Sequence, residues 1–422
     1  MQEQALYIAQ LEINRFKCFK GENSLSLTDE QGDFVPWTVI MGNNNSGKTT
    51  FLKAVAGLQP VEKKLILTKK DNSNTFEVNT FRVNTFRLNK EYEMISCSGW
   101  FDVDKKYTIS NLDFTQFSGG KIYENTKKWT AVARLFQLYA YGVTRKSGND
   151  ISLKDNGNVT NVQNLFEPEK SLINIEEYLL QLDYAAKNGQ EAAKKRLKIL
   201  RNLIIEDIFP EVTDFKFVTN DKLENYVEFQ TQNGWYRLSE LGYGYQAMLS
   251  WMVDFCKKMF ERYPNSETPL KEPAIVLLDE IDLHLHPKWQ RTIIPYLSKI
   301  FPKTQFIVTT HSPLILHGAD NVNVFILEKD KKDESVHIRK LPYTSFQGWN
   351  VQEILEEAME MVNDVNSERY QKLQNDFAQA LDSDDYEKGK AAYDALLQIL
   401  HPQNVERKLL SIQLSQLSPE AL

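Results

Sequence analysis

Residues 7–20 (YIAQLEINRFKCFK) alternate apolar and polar positions, which predicts a half-buried strand. Residues 36–41 (PWTVIM) form a short apolar run that ends at Gly42 and three asparagines. Thr49–Ala56 then reads as a helix closed by Gly57, so the chain opens as strand, glycine loop, helix. From about 60 to 235 the pattern weakens. Residues 74–88 repeat a unit (NTFEV, NTFRV, NTFRL) too short for a solenoid and read as a lengthened hairpin. Residues 128–141 predict a buried helix or strand, 146–164 a loop rich in Asn, Ser, Gly and Lys, and 174–207 two helices broken near Asn188-Gly189. Residues 214–237 predict a hairpin turning at Asn233-Gly234. Regular order returns with a helix at 244–263, an aliphatic strand at Ala274–Leu278, a helix at Lys288–Lys299 and a second buried strand at Gln305–Thr310. Two edge strands are expected within 322–341 and a helical tail from Gln352. Unbroken apolar strands flanked by helices imply an α/β fold whose parallel sheet is covered on both faces.

Composition narrows this little. At 422 residues the chain holds two or three structural units. Hydrophobic residues at 42% and charged residues at 25% exclude wholesale disorder. The net charge of −7 gives no global attraction to nucleic acid, although a local basic groove stays open. Three dispersed cysteines (Cys18, Cys97, Cys256) make neither a disulfide framework nor a CxxC metal site, which suits a reducing, cytoplasmic setting. The first residues carry no apolar core of signal-peptide type, no run is long enough to span a membrane, and no membrane partner is expected.

The chemistry sits in three places. Gly42-Asn43-Asn44-Asn45-Ser46-Gly47-Lys48-Thr49 matches G-x-x-x-x-G-K-[ST] in full, with Thr50 next to it. Glycines let successive N–H groups face phosphate oxygens, and the following helix offers its positive end to them. Lys48 is expected to bridge the β- and γ-phosphates of ATP, and Thr49 to hold Mg²⁺. Ala274–Leu278 ends in Asp279-Glu280, the first carboxylate suited to Mg²⁺ and the second to polarising water as general base. Phe306-Ile307-Val308-Thr309-Thr310-His311 brings a histidine to a strand end, where it can contact the γ-phosphate or orient the water.

Taken together, the Gly42–Thr49 loop, LLDEIDLHLHPKWQ and FIVTTHSP resemble ABC-type ATPases of the SMC, RecF and overcoming-lysogenization class over roughly 8–58 and 236–330. The resemblance implies a doubly wound, mostly parallel sheet with an antiparallel edge, and two protomers sandwiching two ATPs. It also implies a signature motif from one protomer completing the site of the other. Leu238-Ser239-Glu240-Leu241-Gly242-Tyr243-Gly244 stands where that signature belongs but departs from L-S-G-G-Q; Gly242 and Gly244 are its candidate phosphate-side residues. The resemblance further makes Asp282–His286 a segment that crosses the dimer interface. Gln137 is the candidate Q-loop residue toward the metal, with Arg145 a second candidate on the phosphate side.

The expected domains are a head of 1–60 and 210–342, an inserted hairpin and helical lobe of 61–209, and a helical region of 343–422 for docking. The insertion lacks sustained heptads, so it is no SMC coiled coil. Glu328-Lys329-Asp330 and Asp382–Asp385 lack the strand context that a Toprim nuclease centre needs. The tail, Gly348-Trp349-Asn350-Val351-Gln352-Glu353-Ile354-Leu355 followed by helices, resembles Septu-type anti-phage ATPases and their retron-associated relatives. That implies a slow, nucleotide-gated switch that forms a head-to-head homodimer or higher assembly and controls a separate HNH nuclease. A reverse transcriptase with its RNA, or DNA, are further implied partners. The alternatives are a RecF-like ATPase that clamps DNA and a stand-alone nuclease of the overcoming-lysogenization type.

Overall fold

The computed structural model describes residues 6–57, 60–68, 75–83, 94–101, 106–107, 137–148, 161–208, 212–330, 332–359 and 367–417. The strands are β1 (Leu6–Phe16), β2 (Phe19–Ser26), β3 (Trp37–Gly42), β4 (Pro60–Thr68), β5 (Thr75–Val83), β6 (Met94–Phe101), β7 (Lys106–Tyr107), β8 (Leu138–Tyr141), β9 (Asp214–Thr219), β10 (Asn225–Thr231), β11 (Gly234–Arg237), β12 (Ala274–Leu278), β13 (Thr304–Thr309), β14 (Val322–Lys329) and β15 (Val336–Lys340). The helices are α1 (Lys48–Ala56), α2 (Gln163–Phe166), α3 (Ile175–Lys187), α4 (Glu191–Asn202), α5 (Tyr243–Arg262), α6 (Pro287–Gln290), α7 (Ile293–Ile300), α8 (Pro313–His317), α9 (Val351–Met359), α10 (Glu368–Asp382), α11 (Tyr386–Ile399) and α12 (Glu406–Gln416).

A six-stranded sheet in the order β15-β14-β3-β13-β12-β8 carries the molecule. β8, β12, β13, β3 and β14 run parallel, and β15 closes one edge antiparallel. That is the mostly parallel sheet with an antiparallel edge that the resemblance implies. Every residue of β3, β8, β12 and β13 is buried, which is why these segments read as apolar runs rather than alternations. The strand period of two divides them between two faces. Leu138, Ala140, Ile275, Leu277, Ile307 and Ile40 join a core with α1 and the β1–β2 hairpin. On the opposite face Tyr139 meets Phe255 of α5 at 5.2 Å and Tyr141 meets Trp251 at 5.9 Å.

Several expectations change. The alternation at 7–20 is two strands: Lys17 takes φ 52, and β1 pairs antiparallel with β2. Leu11 and Ile13 of β1 and Phe19 of β2 are buried on either side of the turn, Lys17 is exposed within it, and no Gly, Pro or Asn stands at Lys17-Cys18 to mark it. The 214–237 hairpin is a three-stranded meander, β11-β10-β9. The helix expected over 288–299 is two, α6 and α7. β14 is an interior strand between β15 and β3, leaving β15 alone at that edge. α3 and α4 stand as expected on either side of Asn188-Gly189, and α4 continues into a π-helical turn at Leu203–Ile208.

Within 74–88, residues of β5 pair with β4 as a hairpin; 84–88 lie outside the described residues, as do 128–136 and most of the loop expected at 146–164. At that loop's ends Ser147 bridges Leu172, and 163–166 form α2. Two strands inside the stretch assigned to an insertion pair with head strands, β6 with β1 and β8 with β12. The chain divides into two compact units, Met1–Ile354 and Leu355–Leu422. In the second, α10, α11 and α12 bury Phe377, Ala392, Leu396, Leu400, Leu410 and Leu414. In the first, Trp349 packs against Tyr343 and Phe346 at 4.8 and 5.2 Å. No helix among the described residues is long and apolar enough to cross a membrane.

Candidate functional site

Parallel, in-register strands bring their carboxyl ends to one edge. Leu278 stands opposite both Val308 and Tyr141, and Thr309 opposite Ile40. Ligands of open α/β sheets bind at such an edge, and the chain places Gly42, Gly142, Asp279 and Thr310 there as each strand ends.

The Gly42–Thr49 loop fills the β3 end. Gly47 takes φ 93, and a Cβ on it would lie 2.7 Å from the Cys18 sulfur. Only glycine serves both the left-handed turn and the contact with the β1–β2 hairpin. No side chain caps α1, and its first turn holds no acid. Lys48 Nζ donates to the carbonyl oxygens of Gly42 and Asn43, each at 2.9 Å. Burial lowers Lys48 from 10.5 to about 8, opposed by Glu280, Asp279 and Asp282 in that order. Ser46 Oγ is buried without a hydrogen-bond partner. A desolvated ammonium, an orphaned hydroxyl and an uncapped helix start fit the oxygens of a polyphosphate. Asn43, Asn44, Asn45 and Thr49 are exposed, Asn45 at φ 61, and Thr50 is the third residue of α1.

Across from it stands the acid side. Thr49 Oγ1 donates to Asp279 Oδ2 at 2.7 Å, and Thr309 Oγ1 donates to Asp279 Oδ1 at 2.6 Å. A hydroxyl beside a carboxylate is an oxygen set that suits Mg²⁺. Glu280 takes φ 48, a left-handed conformation that costs about 1–3 kcal/mol and persists only where neighbours fix it. Its N–H donates to Thr309 Oγ1 at 2.7 Å, and Ile281 N–H to the Thr309 carbonyl at 2.9 Å. Thr310 Oγ1 donates to Asp282 Oδ1. His311 is half-buried; burial and then Lys48 lower its pKa, with Glu280, Asp282 and Asp279 opposing. Lys48, Asp279, Glu280, Asp282 and His311 therefore form one electrostatic cluster.

Gln137 lies elsewhere. Leu138 pairs with Ile275, so Gln137 precedes the amino end of β8, about 13 Å of strand from the edge that carries Asp279. Its Oε1 accepts from Asn161 Nδ2 at 3.3 Å. A parallel strand delivers to the site the residues just past its carboxyl end, which for β8 are Gly142–Arg145. Arg145 is buried, and its guanidinium donates to the carbonyl oxygens of Asp279 and Glu280. Fixing the strand at 138–141 is the signal that selects Arg145 over Gln137. Thr309 is legible as part of the second buried strand but not as a bridge between two acids.

Gly242 is the N-cap residue of α5, with no side-chain cap. Gly244, in the first turn, lies against the His284 carbonyl so closely that any Cβ would collide with it. Gln246 Nε2 donates to the Leu241 and Ser239 carbonyls at 2.7 and 3.3 Å, tying the loop to its helix. Tyr243 and His284 are exposed beside each other, and His286 Nδ1 accepts from Lys288 N–H to cap α6. Among the described residues no three His, Cys, Asp or Glu side chains gather as a metal cluster.

Residues 143–317 match the family described as "AAA domain, putative AbiEii toxin, Type IV TA system". The chain is 28% identical to Septu protein PtuA of Bacillus mycoides (strain KBAB4) over 83% of its own length and 44% of the relative's. It is 34% identical to Septu protein PtuA of Bacillus thuringiensis over 48% of its length and 51% of the relative's. It is 36% identical to the Retron Ec83 probable ATPase of Escherichia coli over 35% of its length and 26% of the relative's. Among solved structures, an SMC head bound to the C-terminal winged-helix domain of ScpA aligns at a TM-score of 0.40 and 15% identity, covering 79% of this chain and 98% of that one, too distant to add to the fold argument. These stretches are what the chain shares with proteins described as Septu protein PtuA and retron probable ATPases. The chain spans about half the length of the Septu relatives it matches.

Proposed function

We propose that this chain binds and slowly hydrolyses ATP, and that this cycle gates an anti-phage defence assembly whose nuclease is a separate subunit. The observation that carries the reading is the 2.7 Å bond between the Thr49 hydroxyl and the Asp279 carboxylate, with a buried lysine beside it. Gly42–Thr50 cradle the triphosphate, and Lys48 neutralises its β,γ end. Thr49 and Asp279 hold Mg²⁺, which neutralises phosphate charge and orients the oxygens when bound. Glu280 takes a proton from the attacking water, and His311, held neutral, positions that water or the γ-phosphate. Gly242 and Gly244 present the start of α5 to nucleotide on a second copy of the chain.

The anti-phage role and an HNH-type nuclease partner rest on the likeness to the Septu and retron proteins, as do a reverse transcriptase with RNA, or DNA, as further partners. The test is ATP turnover and DNA cleavage by the purified chain and its Lys48→Ala variant. ATP turnover lost in Lys48→Ala, with no cleavage by the chain alone, supports the reading. Metal-dependent cleavage that survives Lys48→Ala overturns the separate-nuclease part.

A further inference from the structure

Arg145 is a buried cation with no part in the proposed cycle so far. Its Nε donates to the Gly142 carbonyl at 2.9 Å, and its Nη2 donates to the carbonyl oxygens of Asp279 and Glu280, the latter at 2.7 Å. The same turn is gripped elsewhere: Asp279 N–H donates to the Tyr141 carbonyl at 2.9 Å, and Glu280 N–H to Thr309 Oγ1. Neighbouring strands thus claim the backbone N–H of both acids; the Glu280 carbonyl accepts from Leu283 N–H at 3.0 Å as well as from Arg145, and Arg145 alone answers for the Asp279 carbonyl among the bonds described. A left-handed glutamate needs such over-determination, because its backbone left to itself relaxes toward ordinary φ.

We propose that Arg145 is a positioning residue for hydrolysis: it clamps the Asp279–Glu280 peptide turn and so sets where the Glu280 carboxylate stands, without holding nucleotide itself. The inference rests on the reading of Glu280 as general base. The planar fork explains the residue type, since N–H groups in one plane fix Gly142 relative to both carbonyls, whereas a lysine keeps the charge and loses the brace. The clamp is anchored to the signature helix. Tyr141, whose carbonyl takes the Asp279 N–H, donates its hydroxyl to Asp254 of α5 at 2.8 Å, and Asp254 pairs with Lys258 at 2.7 Å. A shift of α5 therefore reaches the base through β8.

The test is a double-mutant cycle of Arg145→Ala and Arg145→Lys with Glu280→Gln, reading kcat, KM and nucleotide Kd. Arg145→Ala should lower kcat about 100-fold, the cost of misplacing a catalytic group by about 1 Å, with Kd within about threefold. Arg145→Lys should recover less than about a tenth of the loss. In the Glu280→Gln background the further loss should stay under about threefold, because the group being positioned is gone. Millimolar guanidinium should restore the Arg145→Ala chain but not the double variant. Losses that multiply in the cycle, or a Kd that worsens in step with kcat, overturn the proposal. If Arg145→Ala does not fold, the same cycle run on Arg145→Lys decides. Turnover that survives Lys48→Ala in the parent chain instead overturns the ATPase reading on which the inference rests.

Discussion

The two halves of the candidate site are held together in opposite ways. The loop half is local: Gly42 to Thr49 is contiguous, and Lys48 bonds the carbonyls of its own loop. The acid half is assembled from afar, with Asp279 and Glu280 gripped by Tyr141 and Thr309 on two flanking strands and by Arg145 in the loop after one of them. The first leaves a buried hydroxyl and a desolvated lysine open to an anion. The second leaves the backbone of neither acid free to turn. One half is built to receive charge, the other to keep its own charges fixed. Damage to the loop half should therefore show in binding, and damage to the acid half in turnover.

Lys48→Ala should produce the largest effect: ATP affinity falls at least about 100-fold, as loss of a buried charge-assisted contact requires, measured by calorimetry. Binding that is unaffected would erase the distinction between the halves. Glu280→Gln should cut turnover by about 100- to 1,000-fold while nucleotide stays bound and a dimer accumulates in gel filtration. Unchanged turnover there would mean that the base is another residue. Thr309→Val removes the hydroxyl shared by Asp279 and Glu280 N–H; a roughly tenfold loss of kcat and about 1–2 kcal/mol of stability should result, the latter read by denaturant titration.

The effect of pH sharpens the comparison from the loop side. Lys48 sits at about 8 when folded, against 10.5 for an exposed lysine. Between those values the unfolded chain binds a proton the folded one does not, so nucleotide-free stability rises with pH across that window. ATP affinity, which needs the ammonium, should fall as pH passes about 8, by at most about tenfold per unit. A fluorescent nucleotide titration across that range checks both the sign and its loss in Lys48→Ala. The smallest effect belongs to His311→Gln, a loss of about threefold to tenfold in kcat with KM unchanged, since an amide keeps one hydrogen-bonding function of the neutral imidazole.

Legibility in the sequence divides along the same line. The Gly42–Thr49 loop is a contiguous string between a strand and a helix, so the pattern from which its roles are proposed is visible without coordinates. The acid pair was visible because four aliphatic residues bury the strand that delivers it. Gln137 was misplaced because 128–141 reads equally as helix or strand, and a position on a strand is known only once the strand's ends and direction are. Arg145 needed the same knowledge, and the turn at Lys17 was hidden because both strands of that hairpin bury one face.

The amino-acid order alone determined the buried strands, the glycine loop between β3 and α1 and the acid pair that ends β12, because each is written in contiguous residues. Only the tertiary structure decided that β8 borders β12, that Thr309 bridges two acids, and that Arg145 grips the Glu280 turn. Those contacts join segments more than a hundred residues apart or on separate strands, and their energy comes from strand register and burial. No local pattern encodes either.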